Sequence, residues 1–163
     1  MVSCVFPGSF DPVTRGHLDL ISRAAAVFDR VTVTVMVNIS KKGVFSAEER
    51  ISMLKKICAP FSNVEVDCWN GLLAEYMKQK GEKIVIRGLR NSAEYDQENI
   101  SAYANKMLNH DIETIFIPCD PALNGVSSSA VREIAAFGGE ISSFVPESLA
   151  EEIKEQLSKK QSI

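Results

Sequence analysis

The residues of this chain that could do chemistry fall in four short polar stretches, each at the carboxyl end of a run that reads as a strand. They are Ser9 to His17, Asn38 to Lys42, Arg87 to Asn91 and Leu123 to Ser129. Between them they hold His17, Lys41, Lys42, Arg87, Arg90 and three consecutive serines. Cations of this kind and the amides of a serine-capped helix start are groups that bind phosphate. What is missing narrows the chemistry. There is no P-loop lysine motif, no G-x-G-x-x-G and no conspicuous carboxylate pair for general acid–base work. Phosphoryl and nucleotidyl transfer depend mainly on positioning and on offsetting charge, and an attacking phosphate is already an anion that needs no base. Cations and backbone amides then suffice.

Each stretch also has a plain structural reading. Lys41-Lys42 alone fits a solvated turn, Arg87 a surface cation closing a strand, and Ser127 to Ser129 an over-provided helix cap. Only a fold that brings all four to one edge turns them into a site, and the spacing of apolar residues predicts such a fold. Val2 to Phe6, interrupted only by Ser3, reads as a buried first strand, broken by Pro7-Gly8. Asp11-Pro12 keeps the backbone extended, and from Gly16 the residues Leu18, Ile21, Ala25 and Phe28 recur at helical spacing. The β-branched run Val31 to Val37 predicts a second strand. Ser46-Ala47-Glu48-Glu49 is a capping box, opening a helix with Ile51, Leu54, Ile57 and Cys58 that Pro60 stops.

Asn63 to Cys68 reads as a third strand, and Gly71-Leu72-Leu73 leads into a helix through Tyr76 and Met77 that ends at Gly81. Lys83 to Arg87 is a fourth strand, and a long amphipathic helix spans roughly Glu94 to Leu108. Its Ile100, Tyr103, Ala104, Met107 and Leu108 are expected on the buried side. Thr114 to Pro118 is a fifth strand, and the serines cap a helix running to about Phe137. Pro146 is placed at N1 of a last helix, with Leu149, Ile153 and Leu157 on one face. Strands alternating with helices predict an α/β fold: a single Rossmann-like, doubly wound, five-stranded parallel sheet with helices on both faces. Residues 1–158 are expected to form one domain, with 159–163 a frayed tail. The carboxyl edge of such a sheet is where ligands bind.

Bulk properties agree with an enzyme-sized globular domain. The 163 residues can bury a real core, and 45% hydrophobic with 24% charged residues is ordinary for a water-exposed chain. A net charge of -3 offers no general attraction to nucleic acid or to an anionic membrane, so any phosphate site must be local. Cys4, Cys58, Cys68 and Cys119 show no C-x-x-C spacing for metal or redox work, and no stretch approaches the ~20 apolar residues of a membrane span. No signal peptide is expected, and the expected location is cytoplasmic.

Thr14-Arg15-Gly16-His17 resembles the T/H-x-G-H signature of the nucleotidyltransferase superfamily, and Val126-Ser127-Ser128-Ser129-Ala130-Val131-Arg132 resembles its second, I-S-S-T-x-I-R-like signature. Joined with Pro7 to Pro12, Ser40-Lys41-Lys42, Phe45 to Arg50 and Ile86 to Arg90, they are similar to the bacterial phosphopantetheine adenylyltransferases over nearly the whole chain, through Phe144 to Glu147. The resemblance implies adenylyl transfer from ATP to 4'-phosphopantetheine, giving 3'-dephospho-coenzyme A and pyrophosphate, the penultimate step of coenzyme A synthesis, with Mg²⁺. It implies in-line attack without a covalent intermediate and a catalytic set of His17, Lys41, Arg87 and Arg90, with no protein metal ligand assigned. Ser9 and Phe10, His17, Gly88, Leu89, Arg90, Glu98 and the loop Leu123, Asn124, Gly125, Val126, Ser127, Ser128 and Ser129 are implied to contact ATP. Ser9, Lys41, Leu73 and Arg87 are implied to contact phosphopantetheine. A homohexamer and feedback binding of coenzyme A are implied in the same way. Gln97 and Asn99 depart from the family pattern, where an aromatic and an apolar residue are usual, while Glu98 and Asn105 match it.

Two other readings compete: a different small nucleotidyltransferase with the same signatures, such as a cytidylyltransferase or a nicotinamide mononucleotide adenylyltransferase, and a nucleotide-binding regulatory module without turnover. Arg87 to Arg90 together with Ser40-Lys41-Lys42 argues against the first, and the intact His17, Lys41, Arg87 and Arg90 set against the second.

Overall fold

Short apolar runs and well-capped helices alternate along the chain, and a computed structural model describes residues 1–37 and 43–161. The strands are β1 (Ser3–Gly8), β2 (Arg30–Val37), β3 (Val64–Asn70), β4 (Ile84–Leu89) and β5 (Glu113–Pro118). The helices are α1 (Arg15–Val27), α2 (Ala47–Cys58), α3 (Leu73–Lys80), α4 (Ser92–Leu108), α5 (Ser128–Ala136) and α6 (Ala150–Gln161), with 3₁₀ turns at Pro121–Leu123 and Glu147–Leu149. The strand order is β3-β2-β1-β4-β5 and every pairing is parallel, which is the Rossmann-like α/β sheet expected from the sequence. The chain winds outward from β1 first one way and then the other, so the order reverses between β1 and β4.

Side chains alternate across each strand and so divide the core in two. Cys4 and Phe6 of β1 join Val31, Val33 and Val35 of β2 in the larger cluster, packed under α1, α2 and α6 by Leu20, Ile21, Leu54 and Ile153. Val5 of β1 faces the other way with Val85, against Ala74, Tyr76 and Met77 of α3. Thr34 shares that second face and donates to the Tyr76 hydroxyl at 3.2 Å, which donates in turn to Asp67 at 2.9 Å, so these buried polar groups are satisfied.

Two expectations need correcting. α4 has no buried residue: Ile100 is 71% exposed, Tyr103 70% and Met107 74%. The helical period gave the stripe its spacing, but α3 and β5 do not cover it within one chain. Pro146 opens the Glu147–Leu149 turn, and α6 starts one turn later than expected. The helix continues to Gln161, into the stretch read as a tail, and Lys160 reaches back to Glu49 at 2.6 Å and to the Val44 carbonyl at 2.9 Å.

Candidate active site

β1 and β4 pair at Val5 and Val85, and beyond that point their carboxyl ends flank a cleft of about 390 Å³. Three of the four polar stretches meet in it. Ser9 and His17 come from the β1–α1 connection, Arg87, Gly88 and Arg90 from the end of β4, and Val126 to Ser129 from the start of α5. Glu98 lines it too, from the second turn of α4. This is the crevice at the reversal of strand order, where open α/β sheets hold their ligands.

His17 is held by the start of its own helix. Thr14 is the N-cap of α1 and His17 stands at N3, so the two close a capping box in which histidine fills the place usual for glutamate or glutamine. The Thr14 backbone N–H donates to Nδ1 at 3.0 Å, and Thr14 Oγ1 accepts from the His17 backbone N–H at 3.4 Å. Because Nδ1 is the acceptor, the neutral ring carries its proton on Nε2. Burial first, and then the charges of Arg87 and Arg90, push the His17 pKa down to about 4. The ring is therefore neutral near pH 7, with one fixed donor.

Beneath it the loop turns sharply. Phe10 adopts the left-handed conformation, with φ at 49°, and its buried ring meets His17 edge-on at 4.9 Å and Phe6 at 5.3 Å. A side chain on Gly8 would come within 2.9 Å of the Phe10 ring, so only glycine lets strand and ring approach this closely. Arg50 of α2 donates to the Ser9 carbonyl at 2.9 Å from the other side.

The arginines arrive already paired. Arg87 donates from Nε and Nη2 to the two oxygens of Glu98 at 2.7 and 2.8 Å, and from Nη1 to the Pro7 carbonyl at 2.6 Å. Arg90 is paired with Glu94 and also donates from Nη1 to the Val126 carbonyl at 3.2 Å. Burial pushes the Glu94 carboxyl up, but hydrogen bonds from the Arg90 side chain and amide outweigh it and hold the group below its ordinary value. The serines divide their work. Ser127 caps α5 by accepting from the Ala130 N–H at 3.1 Å, Ser128 donates to the Pro12 carbonyl at 2.7 Å, and Ser129 is exposed.

Not every expected residue lines this cleft. Lys41 lies outside the described residues. Phe10 supports the cleft from below. Leu73 opens α3 and packs against the second core cluster, away from His17. Leu123 ends a 3₁₀ turn, and Asn124 and Gly125 lead from it into the lining residues. Leu89 ends β4, where its carbonyl accepts from the Cys119 N–H at 2.7 Å.

Sequence reasoning missed Thr14, Glu94 and Asp11 as parts of the site. The first two were legible, as a cap three residues before His17 and as an acid four residues after Arg90. Asp11 was not. It is buried, and its two oxygens accept from the Val44 and Phe45 amides at 2.9 and 2.7 Å, more than thirty residues away. Arg132 of α5 donates to the Asp11 carbonyl, which ties the second signature to the first.

A parallel sheet with a neutral histidine and two arginines at its switch point defines a nucleotidyltransferase-type site. The cytidylyltransferase-like family profile matches residues 5–134. A phosphopantetheine adenylyltransferase from Clostridium perfringens is 45% identical over 154 residues, 94% of each chain. Another so named, from Clostridium botulinum, is 43% identical over 160 residues, 98% of each. A solved structure from Vibrio parahaemolyticus, provisionally assigned as a nicotinate-nucleotide adenylyltransferase, superposes with a TM-score of 0.70 over 100% of this chain and 98% of its own. At 16% identity that likeness speaks for the fold alone. The chain belongs to the phosphopantetheine adenylyltransferase family.

Proposed function

We propose that this chain transfers the adenylyl group of ATP to 4'-phosphopantetheine, by in-line attack of the substrate phosphate on the ATP α-phosphorus. The new bond is a phosphoanhydride, pyrophosphate leaves with the electrons of the α–β bridge, and no enzyme group is covalently modified. The observation that carries the reading is the convergence of a neutral His17, with its proton fixed on Nε2, and two arginines in one cleft at the switch point. A neutral donor suits this step: it hydrogen-bonds to phosphate oxygens as charge builds on them, and its single N–H is far too weak an acid to protonate the attacking anion.

In this reading Ser9, Phe10, Gly88, Leu89, Arg90 and the segment Leu123 to Ser129 meet ATP, with the amides of α5 turned to the triphosphate. Arg87 and Lys41 hold the phosphate of phosphopantetheine, and Leu73 lines its arm. The lining of the cleft fits a Mg²⁺ ion that arrives with the nucleotide. Among the described residues no cluster of three potential ligands exists, but Mg²⁺ is ordinarily held by substrate phosphates and water with one or two protein oxygens. Asp19 and Ser9, both in the lining, would supply these. The ion would offset charge on the departing pyrophosphate. The family resemblance extends the reading to a homohexamer, feedback binding of coenzyme A and a cytoplasmic location. The uncovered apolar stripe of α4 supports an assembly, and no helix among the described residues is long and apolar enough to cross a membrane.

Pyrophosphate release from ATP and Mg²⁺, with and without 4'-phosphopantetheine, tests it. Acceptor-dependent release with dephospho-coenzyme A as product is expected. Release only with a different phosphate acceptor would overturn the substrate, and ATP binding without turnover on any acceptor would overturn the reaction.

A further inference from the structure

Two carboxylates that stand four residues apart on α4, Glu94 and Glu98, each engage one arginine from the end of β4. On charge alone they are misplaced, because a cleft for several phosphates should not offset both of the arginines that line it. Their geometry suggests another use. Arg87 presents the Nε–Nη2 edge of its guanidinium to both oxygens of Glu98, and Nη1 binds the Pro7 carbonyl. Of the five N–H donors these bonds use three, one N–H remaining on each terminal nitrogen. Arg90 is held at two levels: its backbone N–H donates to Glu94 Oε2 at 2.9 Å while its guanidinium meets the other oxygen and the Val126 carbonyl. A bidentate carboxylate fixes the plane of a guanidinium as well as its place.

We propose that Glu94 and Glu98 are positioning residues, through which the first turns of α4 hold Arg90 and Arg87 in binding-competent planes before either substrate arrives. This gives Glu98 an effect on phosphopantetheine through Arg87, beside the contact with ATP that the family resemblance implies. The inference rests on the reading that these arginines meet the substrate phosphates. Preset planes spare the ordering of two long side chains at the moment of binding. Arg87 also bridges the flanks of the cleft, since the Pro7 carbonyl belongs to β1 and Glu98 to α4.

Steady-state kinetics of E98Q, E94Q, R87A and R87A/E98Q provide the test, with circular dichroism to confirm folding. In E98Q the kcat/KM for 4'-phosphopantetheine should fall at least tenfold. E94Q should instead lower kcat/KM for ATP. In the R87A background E98Q should add no further loss, because the group that it orients is gone. Removing a negative charge from an anion site should by itself improve binding, so an improvement in E98Q overturns the proposal. A rise in the KM for ATP in E98Q with no fall in kcat/KM for 4'-phosphopantetheine, or full additivity with R87A, also overturns it. If R87A itself leaves phosphopantetheine kinetics unchanged, the assignment of Arg87 fails first and the inference with it. Loss in R87A without loss in E98Q sinks the inference alone. Should E98Q fail to fold, E98D keeps the charge but withdraws the fork, and the same selective loss is expected; wild-type kinetics in E98D would overturn the proposal.

Discussion

A histidine at N3 of α1 closes a capping box that glutamate or glutamine usually closes, and in the proposed reaction this couples helix initiation to chemistry. The Thr14 amide that it caps is also what keeps the proton on Nε2. Replacement by glutamine separates the two roles, since H17Q can still accept from the Thr14 N–H. H17Q should fold normally yet lose about 10²–10³ in kcat, with little change in ATP affinity measured by direct binding, as expected for a donor that works mainly in the transition state. A loss explained wholly by weaker ATP binding would refute that role. The depressed pKa adds a pH signature. In the unfolded chain the ring titrates near 6.5 and in the folded chain at about 4. Between these values the unfolded state binds more protons, so stability rises with pH through this window and is lost as pH falls from about 6.5 to about 4. Urea midpoints of the wild type should therefore fall more steeply than those of H17Q over that range. NMR of the ring should show its protonation midpoint at about pH 4.

The elements around the cleft depend on termini that the chain satisfies locally and on one buried carboxylate that it satisfies from afar. Ser46 and Glu49 close the second capping box and neither lines the cleft, so S46A should cost about 1 kcal/mol in urea denaturation and leave turnover unchanged. Asp11 is different in kind. It accepts from two amides at the entrance to α2, and truncation would leave both without their acceptor, that of Phe45 in a buried place. D11A should cost about 2–4 kcal/mol and also lower turnover, because the loop between β1 and α1 carries Ser9 and His17. Equal stability of D11A and wild type would show that water replaces the carboxylate. Gly43 belongs to the same joint, since a side chain there would stand 3.3 Å from an Asp11 oxygen.

In the whole molecule, α4 presents its site-facing acids at one end and an uncovered apolar stripe along its length. Ile100, Tyr103, Met107 and Leu108 are each more than half exposed in the single chain, an unusual concentration on one helix. If six chains assemble, light scattering should give about six times the 17.9 kDa chain mass, and Y103E or M107E should reduce it by placing a charge within the covered stripe. A wild type of one chain mass would refute the assembly. The net charge of -3 stays in the background, while the cations that matter are gathered at one sheet edge by topology.

The order of strands and helices, the Ser46–Glu49 capping box and the serine cap of α5 were legible in the sequence, because each depends on residues at most four positions apart. The same locality explains why the four polar stretches could be placed at strand ends, and why Ser9, His17, Arg87 and Ser127 could be nominated together. Tertiary structure alone decided the remainder. Which strands neighbour β1 determines that β4 stands beside it and that Arg87 reaches the Pro7 carbonyl, eighty residues away in the chain. The joining of Asp11 to Phe45 and of Arg132 to Asp11 likewise has no local signature. The apolar period of α4 announced a buried face but not what buries it: spacing determines which side chains share a stripe, and only packing determines whether this chain or another covers them.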